Sequence, residues 1–424
     1  MAALLVSFLL LMILGCPIAF CLLCSGTIYF MTNNMALIMV VQRLTEGANT
    51  FTLLAVPGFI LAGNLMNSGE VTDRIFDFCG KLVGHITGGL GHANILASVV
   101  FAGMSGAAIA DAGGLGAIEL KAMHDAGYDD DFSLAVTGAS SLVGPIIPPS
   151  VPAVVYGTVA SVSIGRLFMA GAVPGAIMAI AMCVMVYIIS RKRGYRKEEW
   201  CGFRALFHSF RRAFLSLLTV VVILGGILAG IFTPTEAAGV SVIYGLFVGV
   251  FIYREIHAKE LVKIFVDAAV SSATIMFIIA CAAVYAWIMT TSGVAADLSS
   301  AILSVSENKI IILIIINVIF LIAGCFLDAN SAFYILLPII TPVLASLGVD
   351  MVHAGVFLTV NMAIGLITPP VGINLYVGCK AGEVSVAEIC RKIVPFLIAG
   401  IVSLLLITYV EPISMFLPRL FGQA

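Results

Sequence analysis

Oxygen-bearing side chains beside helix-breaking glycines and prolines are the residues of this chain that could carry chemistry. Oxygens of Ser, Thr, Asn and Asp, together with free backbone carbonyls, are the ligands that a hard cation such as sodium requires. Glycine and proline interrupt helices and so free the carbonyls that would complete such a site. The candidate sodium ligands are Gly103, Ser105, Asp111, Ser140 and Pro148 in the first half of the chain, and Gly324, Asp328, Asn330, Asn361 and Thr368 in the second half.

Two proline pairs interrupt apolar segments that would otherwise be continuous membrane helices. They end the stretches 144–149, Gly-Pro-Ile-Ile-Pro-Pro, and 365–370, Gly-Leu-Ile-Thr-Pro-Pro. Proline removes a backbone donor and disfavours helical geometry in the residue before it. In hydrocarbon the freed carbonyls need protein or a water-filled cavity as a partner. Matching breaks in the two halves of a membrane chain therefore indicate the midplane binding site of a transporter.

The breaks also indicate the kind of substrate. A helix that restarts after a break points the partial positive charge of its N-terminus into the site, which favours an anion. We expect Ser141, Ser150 and Asn374 to contribute to binding this substrate.

The composition identifies a polytopic membrane protein. Of 424 residues, 61% are hydrophobic and only 10% are charged, and the mean hydropathy is +1.15. Soluble domains carry about 25% charged residues. The net charge of −2 gives no indication of a nucleic-acid partner. We expect about nine membrane spans, at residues 3–31, 51–67, 133–164, 166–190, 213–232, 236–253, 267–291, 351–379 and 394–418.

Lysine and arginine placement predicts which loops face the cytoplasm. Eight of the 21 basic residues lie in the segment 191–212. If this segment is cytoplasmic, the spans place 70–85, 119–131, 254–264 and 380–393 on the same side, which then holds 17 basic residues. The four that remain outside are Arg43, Arg166, Lys309 and Arg419.

The chain divides into two related halves, 1–190 and 213–424, joined by a basic cytoplasmic loop at 191–212. Residues 127–157 align without a gap with 348–378, and the identities include the glycines and prolines that shape the breaks. An odd number of spans between the copies would make them oppositely oriented, as in an inverted repeat.

Each half also carries an apolar run too long for one span, with a polar tip near its middle. These runs, at about 90–118 and 309–347, are predicted to be re-entrant hairpins that face the broken helices 133–164 and 351–379. Three further stretches mix charge with apolar residues at helical spacing and are predicted to be interfacial helices. They are 70–85, 254–266 and 293–308. The predicted fold is thus an all-α polytopic membrane protein with inverted repeats, two re-entrant hairpins and two broken helices.

Several residues admit a second interpretation. A carboxylate at bilayer depth is costly unless it is paired or hydrated, so Asp111 and Asp328 are either linked to a cation or cap helices at the hairpin tips. The acidic turn 129–131 is expected to be solvated. The sequence has no Walker A run, no HExxH and no GxSxG pattern, which argues against an enzyme.

Three stretches resemble the large membrane subunit of tripartite ATP-independent periplasmic (TRAP) transporters. They are 105–113, 144–152 and 361–374, and the resemblance extends over essentially the whole chain. It implies an elevator-type ion transporter fold in the bacterial inner membrane that imports sodium together with an organic acid. It also implies two partners, a small four-helix membrane subunit and a soluble periplasmic substrate-binding protein. The run 103–131 looks most like members that transport sialic acid, although Ala107 stands where relatives often carry a second serine.

Two other functions compete with this interpretation. The first is a stand-alone sodium/carboxylate symporter of the same architecture, which would need no binding protein. The second is an intramembrane enzyme that uses Asp111 and Asp328 as an acid pair. The repeat argues against the enzyme, because at the 221-residue offset Asp328 falls on Ala107 rather than on Asp111.

Overall fold

The computed structural model describes residues 2–67, 71–108, 111–195, 197–306, 308–369, 372, 374–375 and 386–422. Throughout these ranges the chain forms helices and turns without a β-strand, as the predicted all-α class requires. The helices up to the basic segment are α1 (Ala2–Ile13), α2 (Ile18–Thr32), α3 (Ile38–Ala48), α4 (Ala55–Met66), α5 (Val71–Val83), α6 (Gly89–Ser105), α7 (Gly116–Asp125), α8 (Asp130–Ser140), α9 (Val151–Val159) and α10 (Ile164–Arg193).

The second half begins with long helices and ends with a bent pair. Its helices are α11 (Gly202–Leu228), α12 (Pro234–Leu246), α13 (Ala258–Thr291), α14 (Val294–Val305), α15 (Lys309–Phe326), α16 (Ala329–Ser346), α17 (Met351–Gly365), α18 (Val386–Lys392), α19 (Val394–Tyr409) and α20 (Pro412–Leu420). The predicted loop 191–212 is shorter than expected, because its ends belong to α10 and α11 and only 194–201 lies between these helices.

The helices have the length and composition of a multi-pass membrane protein. Among the described residues, six single helices are long and apolar enough to cross a membrane. Two further spans result if each bent pair counts as one. The pairs are Ile38–Ala48 with Phe51–Met66, bent by 57°, and Val394–Tyr409 with Pro412–Leu420, bent by 58°.

Two predicted helical stretches were also wrong. The stretch 3–31 is not one span but the two helices α1 and α2, because Gly15 adopts a φ of +79° and Pro17 is extended (φ −56°, ψ 141°). Neither conformation continues a helix. The stretch 254–266 is not a separate interfacial helix either, since residues from Ala258 onward form the first turns of the 34-residue α13. The other two stretches are helical as predicted, as α5 and α14, and their position at the membrane interface stays a prediction.

The core joins the two halves around α9, α15, α16 and α17. The Tyr156 ring packs against Phe333 at 5.6 Å, and Phe333 packs against Phe320 at 6.2 Å. The Tyr156 hydroxyl donates a hydrogen bond to the Met351 carbonyl over 2.8 Å. These contacts connect the broken helix of the first half to the hairpin and broken helix of the second half.

Segments predicted to share the cytoplasmic side contact one another. Arg193 pairs with Asp131 at 2.7 Å, and Lys392 pairs with the same carboxylate at 2.7 Å. Arg74 pairs with Glu255 at 2.5 Å. These residues come from five segments predicted to share one side, and the Glu198 amide, which donates to the Gly84 carbonyl over 3.1 Å, links the two groups of ion pairs. The assignment of that side to the cytoplasm stays a prediction.

The turn 129–131 is not simply solvated, contrary to expectation. The Asp131 side chain is only 16% exposed, and it accepts hydrogen bonds from both terminal nitrogens of Arg193, at 2.7 and 3.2 Å. Asp129 accepts hydrogen bonds from Tyr195 at 2.6 Å and from Arg193 at 2.6 Å. Hydrogen bonds from Arg193, with a further contribution from Lys392, lower the pKa of Asp131 to about 2. The acidic turn thus holds the end of α10 and the start of α8 together with α18.

We expect Asp131→Asn to destabilise the protein by about 1.5–3 kcal/mol, the usual contribution of a hydrogen bond to a charged group. Because the folded-state pKa lies below the ordinary value, the stabilisation is complete above about pH 5 and is lost progressively as the pH falls toward 2. The purified variant should therefore melt at a lower temperature than the wild-type protein, and the difference should be the same at every pH between 5 and 8. Asp130→Asn is the control, since Asp130 is 53% exposed and pairs only with His124 among the described residues. Equal melting temperatures for both variants would contradict the expectation.

Candidate functional site

The tip of the first hairpin packs directly on the first break. Helix α6 ends at Ser105, and Gly106 caps it with a φ of +63°. The Gly106 carbonyl accepts a hydrogen bond from the Val151 amide over 3.3 Å. A Cβ atom at Gly106 would overlap the carbonyl oxygen of Pro149. Only glycine satisfies both the left-handed backbone and this close approach.

The first broken helix is α8, a short 3-10 turn, a non-helical segment and then α9. The prolines between α8 and α9 have no backbone N–H group and so cannot continue the hydrogen bonding of α8. The peptide bond between Pro148 and Pro149 is cis. Helix α9 restarts at Ser150, whose Oγ accepts a hydrogen bond from the Ala153 amide at 3.2 Å and donates one to the Pro145 carbonyl. The predicted substrate residue Ser150 is therefore an N-cap that ties the new helix to the break.

Helices α15 and α16, which form the predicted second hairpin, are joined at Asp328, which caps α16. Each of the two helices is long and apolar enough to cross a membrane, and the re-entrant path of this hairpin stays a prediction. One carboxylate oxygen of Asp328 accepts hydrogen bonds from the Asn330 and Ser331 amides at 3.0 and 3.3 Å. The other accepts a hydrogen bond from the Ser331 hydroxyl. The capping interpretation that the sequence left open is thus observed. These three bonds leave one of the roughly four lone-pair positions of the carboxylate for a further ligand.

The second hairpin meets the second broken helix through two glycines. Gly324 lies in the last turn of α15 and Gly365 is the last residue of α17. A Cβ atom on Gly365 would lie 2.5 Å from the Cα and carbonyl carbon of Gly324. The two backbones are therefore in direct contact, with no room for a side chain between them.

After Gly365 the chain leaves the helix, as the proline pair predicts. The Thr368 hydroxyl donates a hydrogen bond to the Ile364 carbonyl over 2.7 Å, and the Asn374 amide donates one to the Leu366 carbonyl over 3.1 Å. The expected sodium ligand Thr368 thus uses its hydroxyl proton within its own helix turn. Pro370, the second residue of the proline pair, lies outside the described residues.

The two breaks meet at one buried hydrogen bond. The Asn374 Nδ2 atom donates to the Ser141 Oγ over 2.8 Å, although the residues are 233 positions apart. Both side chains are fully buried. The Ser141 hydroxyl in turn donates to the Gly138 carbonyl over 2.8 Å. We call this Ser141–Asn374 pair the break junction. Two of the three predicted substrate residues are therefore in contact.

Asn361 belongs to a second group of hydrogen-bonded polar side chains, which lies entirely in the second half of the chain. Its Nδ2 atom donates to the Asn317 Oδ1 at 2.7 Å and to the Phe357 carbonyl at 3.2 Å. The Asn317 Nδ2 atom donates to the Thr408 Oγ1 at 3.2 Å. Sequence reasoning missed Asn317. The available signal was an asparagine within the apolar run of α15, since a polar side chain at that depth needs a partner.

The remaining ligand candidates of the first half have contacts of their own, apart from the hydrogen bond of the break junction. Gly103 packs against Val220 of α11, where a Cβ atom would lie 2.6 Å from a valine methyl group. The Ser140 hydroxyl donates to the Thr137 carbonyl over 3.0 Å. Asp111 begins a short π-helical turn, Asp111–Leu115, that leads into α7. Its carboxylate has Ser98 of α6 as a neighbour.

Glu119 is a buried carboxylate that sequence reasoning placed in a cytoplasmic loop. Its side chain is buried in α7, with 1% of the residue exposed, and it interacts electrostatically with Asp111 and with Cys79 of α5. The signal was its position eight residues after Asp111, which places both on one face of a helix. Neither carboxylate forms an ion pair within the described part of the chain.

Among the described residues, several buried side-chain oxygens have no hydrogen-bond partner. Six belong to residues predicted to bind sodium or substrate: Ser105 Oγ, both Asp111 carboxylate oxygens, Asn330 Oδ1, Asn361 Oδ1 and Asn374 Oδ1. The others belong to Asn94, Ser98, Glu119 and Ser190, which were not predicted. Buried polar atoms are normally paired, so oxygens without partners indicate an ion or water. An all-oxygen set suits a hard cation. It does not suit a transition metal, and the described residues contain no group of three or more His, Cys, Asp or Glu side chains that could hold one.

Comparisons with known proteins give a consistent picture. A family model described as the tripartite ATP-independent periplasmic transporter, DctM component, matches residues 5–413. The chain is 42% identical over 408 residues to the sialic acid TRAP transporter large permease protein SiaM of Vibrio cholerae, covering 96% of each chain. It is 39% identical to the sialic acid TRAP transporter permease protein SiaT of Haemophilus influenzae, over 97% of this chain and 67% of that protein. It is 37% identical to the C4-dicarboxylate TRAP transporter large permease protein DctM of Pseudomonas aeruginosa, over 90% of each.

Solved structures share the fold at low sequence identity. The YdaH transporter of Alcanivorax borkumensis superposes with a TM-score of 0.65 and 15% identity, covering 89% of this chain and 87% of that one. MtrF of Neisseria gonorrhoeae superposes with a TM-score of 0.52 and 12% identity, covering 90% and 83%.

Proposed function

The chain belongs to the tripartite ATP-independent periplasmic transporters as a large permease (DctM) component, and we propose that it couples the import of an organic acid to sodium. It is a transporter and not an enzyme. The predicted family is confirmed by the family model, which spans residues 5–413, and by relatives above 35% identity along nearly the whole chain.

The observation that carries the sodium proposal is the set of partnerless oxygens. Ser105 lies at the tip of the first hairpin and Asn330 at the tip of the second, while Asn361 and Asn374 belong to the second broken helix. A hard cation bound at these positions would supply the missing partner that each oxygen needs. The remaining Asp328 lone pair is available to the same kind of ion. No nucleotide-binding signature is present in the sequence, so an ion gradient is the natural energy source.

Sialic acid is the proposed substrate. The support is the 42% identity to a large permease named for this substrate, compared with 37% to one named for C4-dicarboxylates. The N-terminus of α9, capped by Ser150, provides partial positive charge for a carboxylate. The break junction offers the Asn374 Oδ1 atom as a polar contact. We propose that the two hairpins and broken helices move as one unit against the remaining helices, in an elevator mechanism.

The transporter is proposed to work with two partners in the bacterial inner membrane. They are a small four-helix membrane subunit and a soluble periplasmic binding protein that delivers the acid. Large permeases of this family are by definition parts of tripartite systems, which supports both partners. The alternative is a stand-alone carrier that needs no binding protein. The following experiment distinguishes it from the tripartite transporter.

The test is uptake of radiolabelled sialic acid into proteoliposomes that contain this chain and its small subunit. We expect uptake only when the cognate binding protein and an inward sodium gradient are both present. Replacing sodium by potassium is the matched ionic control. Uptake without the binding protein would establish a stand-alone carrier, and uptake without sodium would refute the coupling. Labelled succinate, tested in parallel with its own binding protein, would identify a C4-dicarboxylate system if sialic acid is not transported.

A further inference from the structure

The first turns of α11 carry three parallel stripes of side chains. Phenylalanines at 203, 207, 210 and 214 repeat with spacings of four, three and four residues, so they form one stripe along the helix. Phe203 and Phe207 are 80% and 68% exposed. Because large exposed aromatic side chains in water are costly, this stripe indicates contact with an apolar phase.

A basic stripe lies one position further round the same helix. Arg204, His208 and Arg211 repeat with spacings of four and three residues, roughly 100° from the phenylalanines. Together with Lys81 of α5 they line a surface groove of about 590 Å³. Phe207 forms part of the same lining, so the groove is cationic along one wall and aromatic at its edge.

The third stripe consists of buried residues and determines which face of α11 contacts the protein. Ser209, Ala213 and Ser216 are buried, and Phe210 packs against Phe78 of α5 at 5.7 Å. The Tyr253 hydroxyl, from the loop after α12, donates to the Arg212 carbonyl over 3.2 Å. These contacts hold α11 against the protein, with the basic stripe and the first two phenylalanines, Phe203 and Phe207, directed outward.

The positive charge of the groove is not balanced within the described part of the protein. Lys81 pairs with Asp77 at 2.8 Å. Arg204 and Arg211 form no ion pair with any described carboxylate. Two guanidinium groups of one groove therefore remain free for an anion, and guanidinium is well suited to phosphate.

We propose that this groove binds the phosphate headgroup of an anionic phospholipid. Arg204 and Arg211 contact the phosphate, and the phenylalanine stripe enters the adjacent acyl-chain region. Basic and aromatic stripes side by side on a helix at the end of a membrane span are the arrangement that an anionic membrane surface attracts. A free phosphate ion would use the arginines but would leave the phenylalanine stripe without a function. The proposal is independent of the transported substrate and of sodium coupling.

The test compares lipid binding by two variants that remove equal charge. Arg204→Gln with Arg211→Gln empties the groove of its free cations, whereas Arg191→Gln with Lys192→Gln removes two exposed cations outside it. Purified protein, with the small subunit present, is titrated with short-chain phosphatidylglycerol or phosphatidylcholine, and bound lipid is counted by native mass spectrometry. We expect phosphatidylglycerol to bind more tightly, and its affinity to fall about 25-fold in the groove variant, about fivefold for each charge removed.

Three results would overturn the proposal. Equal losses in the two variants would show a diffuse charge effect instead of a site. Displacement of the lipid by equimolar inorganic phosphate would show an anion site without lipid specificity. No binding to wild-type protein in the presence of the small subunit, with binding in its absence, would show that the subunit covers the groove. As a further arm, Phe203→Ala with Phe207→Ala should weaken phosphatidylglycerol binding, and an unchanged affinity would contradict the role of the phenylalanine stripe.

Discussion

Asp328→Ala is expected to reduce sodium-dependent uptake to the level of liposomes without protein. The substitution removes a carboxylate at the tip of the second hairpin, where three hydrogen bonds leave one lone-pair position for a cation. It also removes the N-cap of α16, which costs about 0.5–2 kcal/mol of stability. The measurement is the initial rate of uptake as a function of sodium concentration, with the melting temperature recorded on the same preparation.

Two further variants separate the charge of Asp328 from its capping role. Asp328→Asn retains an oxygen that caps about as well, so we expect the melting temperature to be kept and sodium-dependent uptake to be lost. Asp350→Asn is the matched cap control. Asp350 caps α17 by accepting hydrogen bonds from the Val352 and His353 amides at 2.7 and 3.2 Å, and uptake should persist in this variant. Wild-type sodium dependence in Asp328→Asn would show that Asp328 serves only as a cap.

Gly365→Ala is expected to stop transport for a steric reason. The new Cβ atom would lie 2.5 Å from backbone atoms of Gly324, whereas non-bonded carbon atoms require about 3.5–4.0 Å. Since both contacting groups are backbone, the hairpin and the broken helix must separate by about 1 Å. Overpacking of this kind typically costs about 1–3 kcal/mol. The shift would also displace the second hairpin from the second break. We therefore expect the rate of uptake to be lost although most of the free energy of unfolding is kept.

The control for this variant is Gly239→Ala in α12. Gly239 is also a helical glycine of the second half, but a Cβ atom there would meet no heavy atom within 4 Å. Alanine favours a helix by about 1 kcal/mol over glycine, so stability should be kept or increase and uptake should persist. Normal uptake by Gly365→Ala would mean that the glycine contact tolerates expansion and that its close packing is not required.

Local chemistry explains which features could be predicted from the sequence. The break after Ser140 follows from prolines without amides, and the αL cap at Gly106 from the absence of a Cβ atom. The same reasoning, applied to Gly15 and Pro17, would have divided the first apolar stretch correctly. The prediction of which loops share one side of the membrane likewise needs only the positions of the basic residues relative to the spans.

Features that depend on packing were missed or misassigned. Glu119 was assigned to a loop because its segment carries charge, yet the packing of α7 against α6 and α8 buries it. Asp131 was expected to be solvated, but the ends of α10 and α18 bring Arg193 and Lys392 to it. Both features depend on how helices pack against one another, which the charge pattern of one segment does not show.

The sequence by itself therefore determined the membrane class, which follows from composition, and the two helix breaks with the polar residues beside them, because proline and glycine act on the backbone locally. The tertiary structure decided which of these residues meet. The hydrogen bond between Asn374 and Ser141 joins residues 233 positions apart, and the contact between Gly324 and Gly365 joins two helices. Such contacts depend on how whole helices pack, which is set by the sum of many side-chain interactions and not by any one segment.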